Sequence, residues 1–173
     1  MATSRAGVCF LGSGARPRRR EGLRPLAFAV PAPSIIVFAA LCFPFMSYHL
    51  TPHFALEEFF ESPTARARKI CNLPASPAEL ARVLDNLAYL ADGLEMLRSK
   101  LDRALRVNSG YRCPLLNNAV GGVSNSRHLQ GCAADIAAED VDGLASAARE
   151  LGIFTKILPY PDRYFVHLER VQH

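Results

Sequence analysis

From residue 46 onward the spacing of apolar positions changes several times, and each change marks an element. In HFALEEFFES, Leu56, Phe59 and Phe60 recur at helical spacing with Glu57, Glu58 and Glu61 among them, which predicts a short amphipathic helix packed on the domain. A polar, basic loop is expected from there to Pro74. Ser76, Pro77 and Glu79 then supply an N-cap, a first-turn proline and the N3 carboxylate of a capping box, the clearest start signal in the chain. The helix they open is long. Leu80, Leu84, Leu87, Ala91, Leu94, Leu97 and Leu101 form one apolar stripe, with Gly93 as a tolerated weak point.

Beyond that helix the period shortens. Leu105, Val107 and Ser109 alternate with polar neighbours as a strand that Gly110 closes, and Pro114 to Val120 reads as a short helix ended by Gly121 and Gly122. The AADIA run at Ala133 to Ala137 suits a buried strand, and Asp140 to Leu151 a helix stopped at Gly152. Phe154 to Leu158 suits a further strand, Pro159 to Asp162 a turn, and Tyr164 to Glu169 the last strand. The sum is an α+β domain in which helices are followed by a small, mainly antiparallel sheet that carries the polar motifs.

Charge and length narrow the class. Of 20 Lys and Arg and 16 acids, residues 1–45 hold six Arg and one Glu, which leaves fourteen basic and fifteen acidic residues for the rest. Without a basic face on the near-neutral remainder, nucleic acid is not an expected partner. In the first 45 residues, Arg16 to Arg20 precede the mostly apolar Pro25 to Phe45, the pattern of a secretory signal or membrane anchor. Pro31, Pro33 and Pro44 break that stretch, and its longest clean run, Ser34 to Phe43, is about half of a bilayer-spanning helix. Residues 1–45 are therefore read as a signal-like segment or as sequence upstream of a true start at Met46. Membrane contact is expected only if they act as an anchor. Residues 46–173 are long enough for one domain with one active site, expected to work as a monomer. Five cysteines, Cys9, Cys42, Cys71, Cys113 and Cys132, show no paired short spacing and are read as unpaired.

Within HLQGCAADI, His128 and Asp135 are seven residues apart, with Gly131 between them where the chain can turn, and His167 lies in the last strand. Two imidazoles and a carboxylate are a known ligand set for catalytic zinc, which keeps a fourth position open. By spacing alone the set is weak evidence.

The surroundings add to it. RVNSGYRCPLLNNAVGGVSNSRHLQGCAADI, continuing to YFVHLE, resembles the zinc D-Ala-D-Ala carboxypeptidase family, whose relatives include VanX-type dipeptidases, phage endolysins and the hedgehog amino-terminal domain. The opening SYHLTPHFALEEFFESPTARA is similar to bacterial and phage members, so the resemblance covers almost all of residues 46–173. It implies a hedgehog/DD-peptidase-like fold with His128, Asp135 and His167 as zinc ligands. It also implies Arg112 facing the scissile carbonyl and Ser126 lining the substrate site. One part is missing from its implied place: relatives carry an acidic general base shortly before the last histidine, often at the position of Tyr164. Glu169, two residues beyond His167 on the same face of its strand, is the first substitute, and Asp162 in the preceding turn the second. The resemblance implies a zinc peptidase acting on peptidoglycan stem peptides in the periplasm or cell wall, as a carboxypeptidase or an endopeptidase. The alternative is a zinc-containing wall-binding or phage structural module of the same fold with impaired catalysis.

Overall fold

The computed structural model describes residues 47–172. The readings made for residues 1–45, for a start at Met46, and for Cys9 and Cys42 lie outside the described residues. A small hairpin comes first, pairing β1 (His49–Thr51) with β2 (Phe54–Ala55) in antiparallel fashion. It leads into α1 (Leu56–Phe60), whose start is fixed by the Glu58 carboxylate accepting from the Ala55 amide at 2.9 Å. Leu56 and Phe59 are buried on this helix, as their spacing predicts.

The expected loop before Pro74 contains a second short helix, α2 (Pro63–Arg68). Ser62 Oγ accepts from the Ala65 amide at 3.2 Å, Pro63 occupies the first turn, and Lys69 ends the helix in the left-handed region at φ 56°. This is the same Ser-Pro start signal seen at Ser76-Pro77. Here it is masked by a run of arginines and one buried side chain, Ala65.

The long helix α3 (Pro77–Leu101) begins where its cap predicts, with Ser76 Oγ accepting from the Glu79 amide at 3.2 Å. The Glu79 carboxylate reaches back to the Ala75 amide at 2.9 Å, one residue outside the cap itself. Val83, Leu87, Leu90, Ala91, Leu94 and Leu97 form its buried face and the centre of the core. Arg170 crosses this helix with its guanidinium 3.8 Å from the centre of the Tyr89 ring, and its Nη1 donates to the Tyr89 carbonyl. Gly93 makes the room: a Cβ there would lie 2.7 Å from Arg170 Cδ.

Four strands form the main sheet: β3 (Arg106–Ser109), β4 (Ala133–Ala137), β5 (Lys156–Tyr160) and β6 (Phe165–Glu169). Their spatial order is β3-β4-β6-β5 with every neighbouring pair antiparallel. Two helices interrupt the sequence of strands, α4 (Pro114–Ala119) after β3 and α5 (Val141–Leu151) after β4. Strand alternation separates two faces. Ala134, Ile136, Val166 and Leu168 are fully buried in one core with Leu144 and Ala148 of α5, while Asp135 and His167 belong to the other face. The fold is the α+β arrangement that the sequence predicts.

The fifth strand is shifted two residues from its expected position, running to Tyr160 through Pro159. A proline is tolerated there because β5 is the sheet edge and has one neighbour, β6. The turn is correspondingly later, a short 3-10 segment at Pro161–Arg163 closed by Tyr164 at φ 55°. Among the described residues, no helix is long and apolar enough to cross a membrane.

Candidate metal centre

The sheet register builds the site as a row running across the strands. Ser109 pairs with Asp135, Asp135 with His167, and His167 with Leu158. A turn of 3-10 helix, Arg127–Gln130, brings His128 over this row, and Gly131 at φ 73° swings the chain from it into β4. The expected turn at Gly131 is therefore real, and it lets residues seven apart in sequence face each other.

The three sequence-predicted ligands meet. Donor atoms of His128, Asp135 and His167 all lie within 4.8 Å of one another. Asp135 Oδ1 is 2.8 Å from His167 Nδ1 and 3.3 Å from His128 Nε2, and the two imidazole nitrogens are 3.3 Å apart. His128 is only 2% exposed and Asp135 7%. His128 Nδ1 donates to the Gly110 carbonyl at 2.6 Å, which orients the ring with Nε2 facing the cluster. Two imidazole nitrogens and one carboxylate oxygen, converging and held from behind, fit a divalent ion of the zinc type with an open position.

Electrostatics couple the three groups. Burial by itself raises the Asp135 pKa, but hydrogen bonds from His128 and His167 and the charges of His128 and Arg112 outweigh it, holding the carboxyl well below the usual range. Burial lowers that of His167, yet Asp135 and Glu169 together bring the imidazole above its ordinary value. Metal binding at such a cluster competes with protonation of the ligands.

Arg112 lies beside the cluster. Its Nη2 donates to Asp135 Oδ2 at 2.5 Å and its Nε to Ser109 Oγ at 2.8 Å, leaving three of the five guanidinium N–H groups for other partners. Glu169 places Oε1 3.1 Å from His167 Nε2, the nitrogen facing away from the cluster. Ser126 stands just before the 3-10 turn, without a side-chain capping bond, and lines the same cleft. That cleft has a volume of about 820 Å³ and is also lined by Arg112, His128, Asp135, His167 and Glu169. Tyr164 is absent from it. The side chain is 67% exposed and lines a separate recess with Arg106 and Glu139. Asp162 is exposed in the turn and does not line the cleft either.

Two positioning residues escaped sequence reasoning. Buried Asn72 donates to the Phe60 and Tyr111 carbonyls, both at 2.9 Å, and accepts from the Cys113 amide at 2.8 Å, pinning the segment that presents Arg112. Asn117 donates to the Val123 carbonyl at 2.9 Å and shapes the loop above the cleft. Neither carried a signal, since one asparagine in a loop or short helix reads as a turn residue. Cys113 and Cys132 are buried and free, and Cys71 is free and exposed.

A family model described as Peptidase M15 matches residues 52–169. The zinc D-Ala-D-Ala carboxypeptidase of Streptomyces albus G is 49% identical over 59 residues, a stretch that makes up 33% of this chain and 23% of that protein. The chain thus aligns with about a quarter of the length of this curated relative.

Proposed function

Because the chain belongs to the peptidase M15 family, we propose that it is a zinc-dependent peptidase that hydrolyses stem-peptide bonds of peptidoglycan. Both a carboxypeptidase acting on terminal D-Ala-D-Ala and an endopeptidase within the stem fall inside this proposal, and the name of the Streptomyces relative favours the first. The observation that carries it is the convergence of His128, Asp135 and His167 at the wall of an open cleft. These three residues would hold the ion. When bound, zinc supplies Lewis acidity, which polarises a carbonyl and makes a water acidic near neutrality.

The chain's own groups complete the chemistry. Arg112, fixed by Ser109 and Asp135, offers its remaining N–H groups to the negative charge that develops on the scissile carbonyl oxygen. Ser126 lines the same cleft and orients the peptide there. Glu169 and Asp135 are the carboxylates lining the cleft among the described residues, and Asp135 is committed to the cluster. Glu169 is accordingly the group we assign to take a proton from water and deliver it to the leaving amine, a role that requires its carboxylate to turn from the far nitrogen of His167 toward the cleft. An exported protein working in the periplasm or cell wall is the setting this substrate requires.

The test is the full chain loaded with zinc and incubated with cross-linked and uncross-linked muropeptides, followed by mass spectrometry with and without chelator. Chelator-sensitive cleavage is the expected result, and none across both substrate sets would sink the proposal. Glu169→Gln refines it. Retained zinc with turnover lowered about 100-fold or more supports proton transfer. Zinc bound about 10- to 100-fold more weakly, with turnover restored at saturating metal, makes Glu169 a partner that orients His167. The place of Tyr164 outside the cleft favours a second reading, a wall-binding module that holds zinc and peptide without cleaving. Peptide binding without turnover in wild type and Glu169→Gln alike would select it.

A further inference from the structure

The hairpin formed by β5 and β6 makes one wall of the cleft, and its charges are unevenly placed. Lys156, Leu158 and Tyr160 on β5, and Phe165, His167 and Glu169 on β6, line the cleft, each strand presenting every second residue. The register orders them along the wall. Lys156 is opposite Glu169 at one end, Leu158 opposite His167 in the middle, and Tyr160 opposite Phe165 toward the turn, where Arg163 also lines the cleft.

At the first end the positive charge is answered, because Lys156 Nζ lies 3.7 Å from Glu169 Oε1. At the turn end it is not. Arg163 makes no salt bridge among the described residues, and neither carboxylate lining the cleft is at its end of the wall. At the same end of the wall Tyr160 and Phe165 stack at 4.7 Å with planes 24° apart, which gives an aromatic surface there. An exposed, unanswered guanidinium at the turn end of a cleft wall that carries stacked rings is suited to a carboxylate carried on a short apolar body.

We propose that Arg163 is a specificity-determining residue, pairing with a free carboxylate that the substrate carries on the turn side of its scissile bond. Two strand residues separate the level of His167 from that of Phe165, about 7 Å, and Arg163 lies beyond. The carboxylate therefore belongs to a residue on the order of two positions from the bond cleaved. Tyr160 and Phe165 support the body of that residue, and Arg163 reads its charge. This rests on the zinc-peptidase reading, because the position of the bond is taken from the metal cluster.

The experiment uses the full zinc-loaded chain and two pairs of synthetic pentapeptides. Each pair differs only in a carboxylate or carboxamide two positions from the bond, N-terminal to it in one pair and C-terminal in the other. Binding is measured at equilibrium and turnover separately, for wild type, Arg163→Ala, Arg163→Lys and Arg163→Glu. A peptide occupies the cleft in one direction, so wild type should prefer the carboxylate form in one pair by about fivefold to tenfold, seen in binding and in KM. Arg163→Ala should abolish that preference with zinc content unchanged. Arg163→Lys should restore part of it, and Arg163→Glu should reverse it. Equal binding of acid and amide by wild type, binding of neither, or equal losses on both forms in Arg163→Ala would overturn the inference. Selective binding without turnover would leave it standing and count against the hydrolase reading instead.

Discussion

Two histidine–carboxylate pairs in this molecule are wired almost alike and end up as different things. In the first, His53 Nδ1 lies 2.5 Å from Glu95 Oε1, and Glu95 Oε2 accepts from Thr51 Oγ1 at 2.7 Å. In the second, His167 Nδ1 lies 2.8 Å from Asp135 Oδ1, and Asp135 Oδ2 accepts from Arg112. The first pair joins the opening hairpin to α3 with side chains 48% and 20% exposed. The second has side chains 13% and 10% exposed, is joined by His128, and borders a cleft. A short histidine–carboxylate contact is therefore only a fastening. Burial, a third converging donor and access for a substrate turn it into a candidate centre.

Mutation should pull the two apart. The largest effect is expected from Asp135→Ala, which leaves His128, His167 and Arg112 facing one another: zinc affinity should fall by more than about 100-fold and turnover become undetectable, read by metal analysis and product formation. Glu95→Ala should change neither. Next is Arg112→Lys, which keeps a charge but loses the planar fork that bonds Ser109 and Asp135 together, and kcat should fall by about 100- to 1000-fold with zinc retained. Full activity in Arg112→Lys would mean that this arginine only balances the charge of Asp135.

The smaller effects belong to the surface pair. Glu95→Gln should lower stability by about 1 kcal/mol, a few degrees in thermal melting, with zinc content unchanged. The smallest is a pH effect. Burial raises the Glu95 pKa, while hydrogen bonds from Thr51 and His53 outweigh it and hold the carboxyl below its ordinary 4.5. Because the folded value is depressed, its stabilisation is complete above about pH 4.5 and is lost as pH falls through the folded value. Melting curves between pH 3 and 6 should fall less steeply for Glu95→Gln than for wild type.

The sequence showed different parts of the molecule unequally. The stripe of α3 and its Ser-Pro-Glu start were legible because capping and helical periodicity are local. The three donors were legible as residues, but their convergence was not, since Asp135 and His167 are 32 residues apart and only strand pairing sets them opposite. Distant pairing also hid the two ends of the cleft wall. Arg163 fell between the expected turn and the last strand and carried no reading, and the structure places it among the residues that line the cleft with His167. The opening hairpin was missed for the opposite reason, because strands of two and three residues are too short to show alternation. The displaced β5 shows a third limit: Pro159 looks like a strand terminator unless the strand is known to be an edge.

Gly93 was read from the sequence as a flaw in a helix, a position where alanine would serve better by about 1 kcal/mol. The Arg170 side chain that fills the space over it makes it a slot. The residue in that slot follows directly after Glu169, so the fit of arginine over glycine helps set where the end of the last strand comes to rest. A methyl group at position 93 would push the Arg170 side chain aside, so the arginine could stay only by giving up part of its seat over Tyr89.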